Sequence, residues 1–359
     1  MGRSLKVSPG CIEQVKSALA RNGFPTQKAL AEELGIGLST VKKFLTGQPV
    51  DYSYFLEISG RLGYEWRKIV HIDETIPKPI FEETSAFITG TPITNPRDFF
   101  GRQKELKRLF DLLKRRPLQN AAIIGKKRSG KTSLLQYLKN ITTPTEQLRP
   151  GQKSDWLPYP ENYHWIFVDF QDSRRQNREG LLRYILESLK MSVPNPCDLD
   201  RFMDTVSSNL DRPTVILFDE IGVGLQRCPE LDDGFWESLR SLATNQTNGN
   251  LGFVLATPES PIELARNTGH TSPFFNIFGY TTILGIMTET EARELIGRSP
   301  IPFPAEDVEW ILNKSERWPL LLQILGRERL FSLEEGETGD DWRKEGLEQL
   351  KPFADLKSI

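Results

Sequence analysis

The sequence predicts an α/β fold in which helices cover a parallel β-sheet, with a small all-α domain before it and a helical region after it. Two observations predict this arrangement. From Phe99 onward, short apolar runs alternate with helical stretches, which is the pattern of strand–helix–strand units with parallel strands. On both sides of that region, before residue 72 and after about Phe278, the pattern is helical throughout. The predicted strands cover residues 121–124, 165–170, 215–218 and 253–256.

Length and composition describe a globular protein of several domains. At 359 residues the chain has room for two or three domains, and 38% hydrophobic with 26% charged residues suffices to bury a core. No apolar run approaches the ~18–20 residues of a membrane span. Residues 1–10 lack an apolar signal core, so we expect a cytoplasmic protein without membrane contact. The cysteines and histidines are scattered, which excludes zinc sites of the usual ligand spacing and predicts reduced, mostly buried thiols.

Residues 1–71 form the predicted N-terminal domain. They carry ten basic and six acidic residues, a net charge of +4, which permits contact with nucleic acid. Within them, Ala31 is small enough to let two helices approach and Gly35 opens a turn. Val41 and Phe44 are spaced to pack the second helix onto the first. This segment resembles the helix-turn-helix domain of phage repressors.

That resemblance implies that the second helix of the pair enters a DNA major groove. Its outer face would present Ser39, Thr40, Lys42 and Lys43, with the lysines on phosphates or guanine edges. Such domains also dock onto proteins, and this face contains no arginine. Two partners therefore stay open for it, double-stranded DNA and a protein. A single domain would bind DNA weakly, since affinity depends largely on phosphate contacts.

A linker is predicted over residues 72–98, between the N-terminal domain and the α/β region. The segment is rich in proline and threonine and has little periodicity. Such composition is typical of loops and connections rather than of helices or strands.

The strongest signal is the octapeptide GKKRSGKT at residues 125–132, which fits the phosphate-binding P-loop pattern G-x-x-x-x-G-K-[ST] in full. An apolar strand precedes it and an amphipathic helix follows. Glycines let the backbone curl so that N–H groups point at phosphates, and the helix N-terminus adds its positive dipole end. Lys131 would reach the β- and γ-phosphates, and the Thr132 hydroxyl would ligate Mg²⁺. The residues predicted to bind the nucleotide here are Gly125, Ser129, Gly130, Lys131, Thr132 and Ser133.

Two acids follow the apolar run at residues 215–218, as in a Walker B strand. Asp219 would hold Mg²⁺, and Glu220 would activate the attacking water, because a carboxylate beside the metal can accept its proton. The next predicted strand runs into Thr257, a candidate sensor of the γ-phosphate, with Ser260 as a weaker candidate. In sequence order, this pattern suits P-loop ATPases that place an extra strand between the two Walker strands and use a catalytic glutamate.

From Phe99 to about Phe331, these motifs together resemble the AAA+ and STAND-type ATPases. The stretch FGRQKEL at residues 100–106 is similar to the "GRxxEL" start of those families, which implies that Arg102 lies near the adenine. Residues 283–296 resemble the start of their helical lid, and WPLLLQ at residues 318–323 resembles the lid segment "GxPxxLQ". Arg317 departs from that pattern, because glycine is usual at its position.

The resemblance divides the chain further into a P-loop ATPase core at residues 99–278, a C-terminal helical lid at 279–333 and an acidic helical tail at 334–359. An arginine that reaches the nucleotide of a neighbouring subunit is not assigned, although the sequence interval between the Walker B strand and the lid, where such a residue could lie, contains Arg227, Arg240 and Arg266. The basic stretch at residues 171–178, close to aromatic residues, is either a nucleic-acid contact or a solvated loop.

The resemblance implies an ATPase with the cofactors ATP and Mg²⁺, slow and regulatory. The absence of an N-K-x-D guanine motif agrees with ATP. One hypothesis is an ATP-dependent switch on double-stranded DNA that forms homo-oligomers and resets by hydrolysis, in transposition, replication or transcription. The other is a STAND-type signalling scaffold of a bacterial defence system. In both, a protein partner is expected, a recombinase in the first and an effector in the second.

Overall fold

The structure, a computed structural model, describes residues 4–64, 66–70, 86–337 and 339–356. The chain divides into two compact units, Met1–Thr84 and Ser85–Ile359. Among the described residues, no helix combines the length and the apolar character that crossing a membrane requires.

The first unit consists mainly of short helices. A two-residue antiparallel ladder joins its start to the segment before the fourth helix, a feature that the all-α prediction lacked. Its core contains Val15, Leu30, Val41, Phe44 and Phe55, all fully buried. The elements are β1 (Ser4–Leu5), α1 (Ile12–Arg21), α2 (Gln27–Leu34), α3 (Leu38–Leu45), β2 (Val50–Asp51), α4 (Tyr52–Arg61) and α5 (Trp66–Ile69).

Helices α2 and α3 are joined by a tight turn. The Thr26 hydroxyl accepts a hydrogen bond from the Ala29 N–H at 3.1 Å and so caps the start of α2. Gly35 ends α2 in a left-handed conformation, with φ +63°, that favours glycine. Ala31, Val41 and Phe44 are buried between the helices, so these side chains pack as the sequence predicts.

The second unit is built on five strands, all parallel, in the order β4-β5-β6-β3-β7. The α/β fold class with a parallel sheet is therefore confirmed. Strand β6 lies between β3 and β5, the two strands that lead into the P-loop and the Asp219–Glu220 pair. The strands are β3 (Ala121–Ile124), β4 (His164–Asp169), β5 (Thr214–Asp219), β6 (Leu251–Thr257) and β7 (Tyr280–Ile283).

Helices cover both faces of this sheet because its central strands are apolar on both sides. Along β5, Val215 and Leu217 belong to one buried cluster, whereas Ile216 and Phe218 belong to the other. This alternation follows the two-residue period of a strand. The covering helices are α6 (Gln103–Leu113), α7 (Lys131–Lys139), α8 (Arg178–Ser188), α9 (Leu199–Asn209), α10 (Ile221–Arg227), α11 (Asp233–Ser241) and α12 (Pro261–Asn267).

The C-terminal helices form a third core. Trp342, Leu350 and Leu356 belong to the same buried cluster as Trp318 and Leu321. The segment 334–359, expected as a tail, thus packs with the lid as far as it is described. The helices are α13 (Glu289–Ile296), α14 (Ala305–Ser315), α15 (Pro319–Glu334) and α16 (Asp341–Leu350), followed by a 3₁₀ turn at Lys351–Leu356.

An ion cluster holds α16 to α14 and α15. Asp307 is 2% exposed, and its carboxylate accepts a hydrogen bond from the guanidinium group of Arg343 at 2.8 Å and forms an ion pair with that of Arg329 at 2.8 Å. Because a buried carboxylate without a partner is costly, these two arginines tie the three helices into one body.

Residues 86–98 differ from the expected linker, of which residues 72–85 lie outside the described part. Phe87 is 2% exposed and stacks on Phe303, with ring centroids 6.0 Å apart. The buried carboxylate of Asp98 pairs with Arg298 at 2.7 Å. Burial of Phe87 and Asp98 in the second unit overrides the loop-like composition of this segment.

Candidate functional site

The predicted phosphate-binding loop connects β3 to α7 at the carboxyl edge of the sheet. The Gly130 backbone has φ +95° directly before α7, a conformation that glycine adopts without strain. Arg128 also has a positive φ, +65°, although its side chain disfavours it. A Cβ atom at Gly125 would lie 2.5 Å from the Ser129 Oγ and 2.7 Å from the Leu284 carbonyl oxygen, so this position has no space for a side chain.

Lys131 is the first residue of α7 and is 7% exposed. Its Nζ donates to the Gly125 carbonyl at 2.7 Å and to the Lys126 carbonyl at 3.0 Å. Burial lowers the pKa of Lys131 below its usual value, and the nearby carboxylates of Glu220 and Asp219 offset only part of this shift. The ammonium group is thus held over the loop, where an anion would gain from the charge.

Asp219 ends β5 beside the loop and is 4% exposed. Its Oδ2 accepts a hydrogen bond from the Thr132 hydroxyl at 2.9 Å, and burial raises its pKa to about 6. Its Oδ1 is buried and has no hydrogen-bond partner among the described residues, and the same holds for the Ser129 Oγ. A carboxylate and a hydroxyl are oxygen ligands of the kind that Mg²⁺ prefers, so Asp219 and Thr132 fit this ion.

Glu220 follows Asp219 and has a left-handed backbone, with φ +51° and ψ +40°. This turn between β5 and α10 places the Glu220 side chain at the cavity, among its lining residues. Non-glycine residues with such a backbone cost free energy and concentrate at functional sites. Gln171, two residues beyond β4, also lines the cavity and was not predicted. Its signal was its position after a predicted strand whose end meets the same sheet edge.

Lys131, Thr132 and Glu220 line a cavity of about 470 Å³, called here the nucleotide cavity, and Asp219 lies beside it, bonded to Thr132. Its lining also includes the basic residues Lys127 and Arg128 and the apolar residues Ile88, Pro92, Ile93, Pro319 and Leu320. A nucleotide combines the matching properties, because its polyphosphate is anionic and its base is flat and largely apolar on its faces.

Two further predicted residues are bonded within the protein. The Ser133 Oγ accepts a hydrogen bond from the Ile93 N–H at 3.0 Å, and Ser133 lines the cavity. Arg102 is 6% exposed and its guanidinium donates to the carbonyl oxygens of Gly285 and Ile286. Arg102 therefore joins α6 to the start of the lid, and its proximity to adenine stays a prediction.

The candidate sensor Thr257 ends β6 and is fully buried. Its hydroxyl donates to the Glu259 carbonyl at 2.9 Å, and it does not line the cavity. The sensor role stays a prediction. Ser260 caps the start of α12, because its Oγ accepts a hydrogen bond from the Glu263 N–H at 3.2 Å.

Ser39, Thr40, Lys42 and Lys43, called here the recognition surface, lie on α3 in the first unit. The side chains of Ser39, Lys42 and Lys43 are exposed, and Thr40 is half-buried. The basic stretch at residues 171–178 is different, since its arginines are engaged internally. Arg174 pairs with Asp172 at 2.7 Å, and Arg178 pairs with Asp232 at 3.1 Å.

Comparisons with known proteins relate the second unit to P-loop ATPases by fold. No protein-family profile and no curated protein sequence matches the chain. Among solved structures, a Walker-type ATPase of Pyrococcus abyssi is similar, with a TM-score of 0.52 and 18% identity over 74% of this chain and 77% of that one. The ORC2 protein of Aeropyrum pernix, solved with ADPNP and ADP, gives a TM-score of 0.57 and 13% identity over 77% of this chain and 75% of that one. The chain therefore has the fold of these P-loop ATPases.

Proposed function

We propose that this protein is a Mg²⁺-dependent ATPase that acts as a regulatory switch. The observation that carries the proposal is that Lys131, Thr132 and Glu220 line one cavity and that Asp219 is bonded to Thr132. Beside this cavity, the Asp219 Oδ1 and the Ser129 Oγ are buried and have no hydrogen-bond partner among the described residues. Buried polar groups are normally bonded, so atoms left without partners support a ligand that satisfies them.

In this proposal, the loop N–H groups and Lys131 hold the phosphates, and Ser129 and Ser133 stand beside them. Bound Mg²⁺, held by Thr132 and Asp219, would neutralise phosphate charge. Glu220 would orient a water molecule for attack on the γ-phosphate and accept its proton. The carboxamide of Gln171 would help to position that water, because Gln171 and Glu220 line the same cavity.

The recognition surface supports a tether to double-stranded DNA. Lys42 and Lys43 are exposed in the last turn of α3, where they can reach phosphates. Two lysines on one copy would bind weakly. Assembly of several copies with ATP would multiply these contacts and raise avidity, and hydrolysis would release them. The similar folds in the comparisons include ORC2, which was solved with ADPNP and ADP and so supports a nucleotide as the ligand.

One experiment tests this function directly. ATP hydrolysis and particle size are measured together, with and without double-stranded DNA, for the wild type, Lys131→Ala and Glu220→Gln. We expect DNA to stimulate hydrolysis, Glu220→Gln to accumulate large assemblies on DNA, and Lys131→Ala to form none. A wild type that neither assembles on DNA nor responds to it in any nucleotide state would remove the DNA switch.

A STAND-type signalling scaffold is the second candidate, and the lid favours it. Pro319, Leu320 and Gln323 belong to the segment that resembles "GxPxxLQ", and all three line the nucleotide cavity. Arg317 replaces the usual glycine, yet its backbone keeps a glycine-like φ of +61°. ATP hydrolysis that is indifferent to DNA, with an effector protein that co-purifies, would support this function instead.

A further inference from the structure

The chain segment that leads from the N-terminal unit into the second unit crosses the nucleotide cavity. Residues 87–93, called here the strap, run from the lid to the helix that follows the phosphate-binding loop. The cavity is lined by Ile88 and by residues 90–93 of the strap. The strap is thus both a wall of the cavity and the end of the connection to the N-terminal unit.

The upstream end of the strap is anchored on lid helix α15. The Phe87 ring fills the space beside Gly326, where a Cβ atom would lie 2.5 Å from the ring. The Ile88 N–H donates to the Gln323 Oε1 at 3.0 Å, and the Thr89 hydroxyl accepts a hydrogen bond from Arg327 at 2.6 Å. The connection to the N-terminal unit therefore leaves the second unit from the lid, and not from the α/β core.

The downstream end is anchored on α7. The Ile93 N–H donates to the Ser133 Oγ at 3.0 Å, and the next residue, Thr94, accepts a hydrogen bond at its carbonyl oxygen from Asn140 at 2.7 Å. Ser133 lies in the first turn of α7, directly after the phosphate-binding loop, so the bond of Ile93 belongs to the part of the cavity that would hold phosphates. Asn140 caps the other end of α7.

The middle of the strap is weakly held. Residues 90–92 are exposed to solvent or to the cavity. Gly90 has φ +86°, and a Cβ atom there would have no other atom within 4 Å. Glycine is therefore favoured at this position by its backbone conformation and not by a lack of space for a side chain. A hydrogen bond between this middle part and the phosphate-binding loop joins Arg128 to the Gly90 carbonyl at 3.5 Å. Such a long, exposed contact is weak.

We propose that the strap couples nucleotide binding to the N-terminal unit: a nucleotide in the cavity holds the strap against both anchors, and an empty cavity lets the lid anchor open. This inference rests on the proposed nucleotide site. A ligand that fills the cavity contacts the strap, α15 and the phosphate-binding loop at once, so it stabilises the arrangement in which all three are together. Release of residues 87–92, with Ile93 still bonded, lengthens the connection by up to about 20 Å at ~3.4 Å per residue.

As a consequence, the distance over which the recognition surface can move away from the second unit depends on whether nucleotide is bound. With nucleotide bound, the connection between the N-terminal unit and the lid is shorter by the length of the anchored strap, and this length sets the effective concentration of the unit near a neighbouring copy or a DNA site. Without nucleotide the connection is longer and the unit explores a larger volume.

Hydrogen exchange of the full chain tests the proposal. Peptides that span residues 86–94 are compared without nucleotide, with Mg²⁺ and ADP, and with Mg²⁺ and a non-hydrolysable ATP analogue, while a fluorescent ATP analogue measures affinity. We expect nucleotide to slow exchange of the Ile88 and Ile93 amides by about tenfold or more. Thr89→Val and Arg327→Ala, which weaken the lid anchor without lining the cavity, should speed exchange without nucleotide by about threefold.

A matched control variant is Thr94→Val, since Thr94 is exposed and contributes only its carbonyl oxygen to the anchor. It should exchange like the wild type. Nucleotide that binds while exchange over residues 86–94 changes less than about twofold overturns the strap and leaves the ATPase proposal standing. The strap is also overturned if Thr94→Val acts like Thr89→Val. Absence of nucleotide binding in the wild type overturns the ATPase proposal and the strap together.

Discussion

The nucleotide cavity and the recognition surface hold their polar side chains in opposite ways. At the cavity, Lys131 and the adjacent Asp219 are almost completely buried, and the backbone at Glu220 is left-handed. On the recognition surface, Lys42 and Lys43 are exposed on a regular helix. Beside the cavity, the buried Asp219 Oδ1 has no partner among the described residues and a ligand could satisfy it, whereas the four residues of the recognition surface include no such buried atom.

This difference decides how much each region reveals about its ligand. A buried carboxylate oxygen without a partner and a non-glycine residue at positive φ both cost free energy, so their presence points to a ligand of defined shape and charge. Exposed lysines cost nothing to display, and they occur on many protein surfaces that bind no DNA. The geometry therefore supports a nucleotide strongly, while the DNA contact rests on charge and on the resemblance of α2 and α3.

The largest expected effect comes from alanine at Gly125, and Gly35 supplies the matched case in the first unit. At Gly125 a Cβ atom would overlap the Leu284 carbonyl oxygen at 2.7 Å, so the loop must move and we expect nucleotide affinity to fall by about 100-fold or more. A Cβ atom at Gly35 would have no other atom within 4 Å, so only the backbone φ of +63° disfavours alanine there. We therefore expect Gly35→Ala to lower the unfolding free energy by about 1 kcal/mol. Titration with a fluorescent ATP analogue and urea unfolding measure the two effects. Equal nucleotide affinity in both variants would contradict the role of the loop.

Asp219→Asn tests the metal position in the same cavity. The amide keeps the shape of the side chain but lacks its charge, so we expect Mg²⁺-dependent ATP hydrolysis to fall by about 10- to 100-fold. Hydrolysis rates are measured over a Mg²⁺ titration. Asp172→Asn is the control, because Asp172 lies near the end of β4, pairs with Arg174 and does not line the cavity. If both variants lose the same activity, Asp219 has no special part in holding Mg²⁺.

The double variant Lys42→Ala with Lys43→Ala asks whether the recognition surface binds DNA at all. Loss of two phosphate contacts should weaken DNA binding by about tenfold for any sequence and reduce the salt slope by about 2. Nucleotide affinity should not change. Fluorescence anisotropy of labelled duplex DNA at several salt concentrations provides the measurement. Lys28→Ala, an exposed lysine on α2 that lies 3.6 Å from Glu32, serves as the control. DNA affinity that the double variant leaves unchanged would favour a protein partner for this surface.

The smallest expected effect measures backbone strain at Arg317 in the lid, the counterpart of the left-handed backbone at Glu220. Arg317→Gly should raise the unfolding free energy by about 1 kcal/mol, because glycine tolerates the φ of +61° that arginine resists. Lys314→Gly, in the regular last turn of α14, should instead lower it by about 1 kcal/mol. Urea unfolding of both variants gives the values. A decrease for Arg317→Gly would mean that contacts of the arginine side chain outweigh its strain.

Much of the candidate site could be predicted from sequence because its signals are local. The residues from Gly125 to Ser133 are contiguous, and the curl of the loop follows from their order. Asp219 and Glu220 follow an apolar run, which predicts two acids at the end of a strand. Gln171 was missed as a site residue, because its position directly after a predicted strand does not by itself show which strand lies beside it. Gln171 and Glu220 line the same cavity because β4 and β5 are neighbours that end at the same edge of the sheet.

The sequence by itself determined the alternation of strands and helices, the phosphate-binding loop and the acids that face it, since each depends on neighbours a few residues away. Only the tertiary structure decided that β6 lies between β3 and β5, that residues 86–98 pack on the second unit, and that α16 joins the lid. It also decided that the Thr257 hydroxyl bonds to its own turn. These outcomes depend on which distant apolar and charged groups can bury one another, and local periodicity carries no information about such long-range partners.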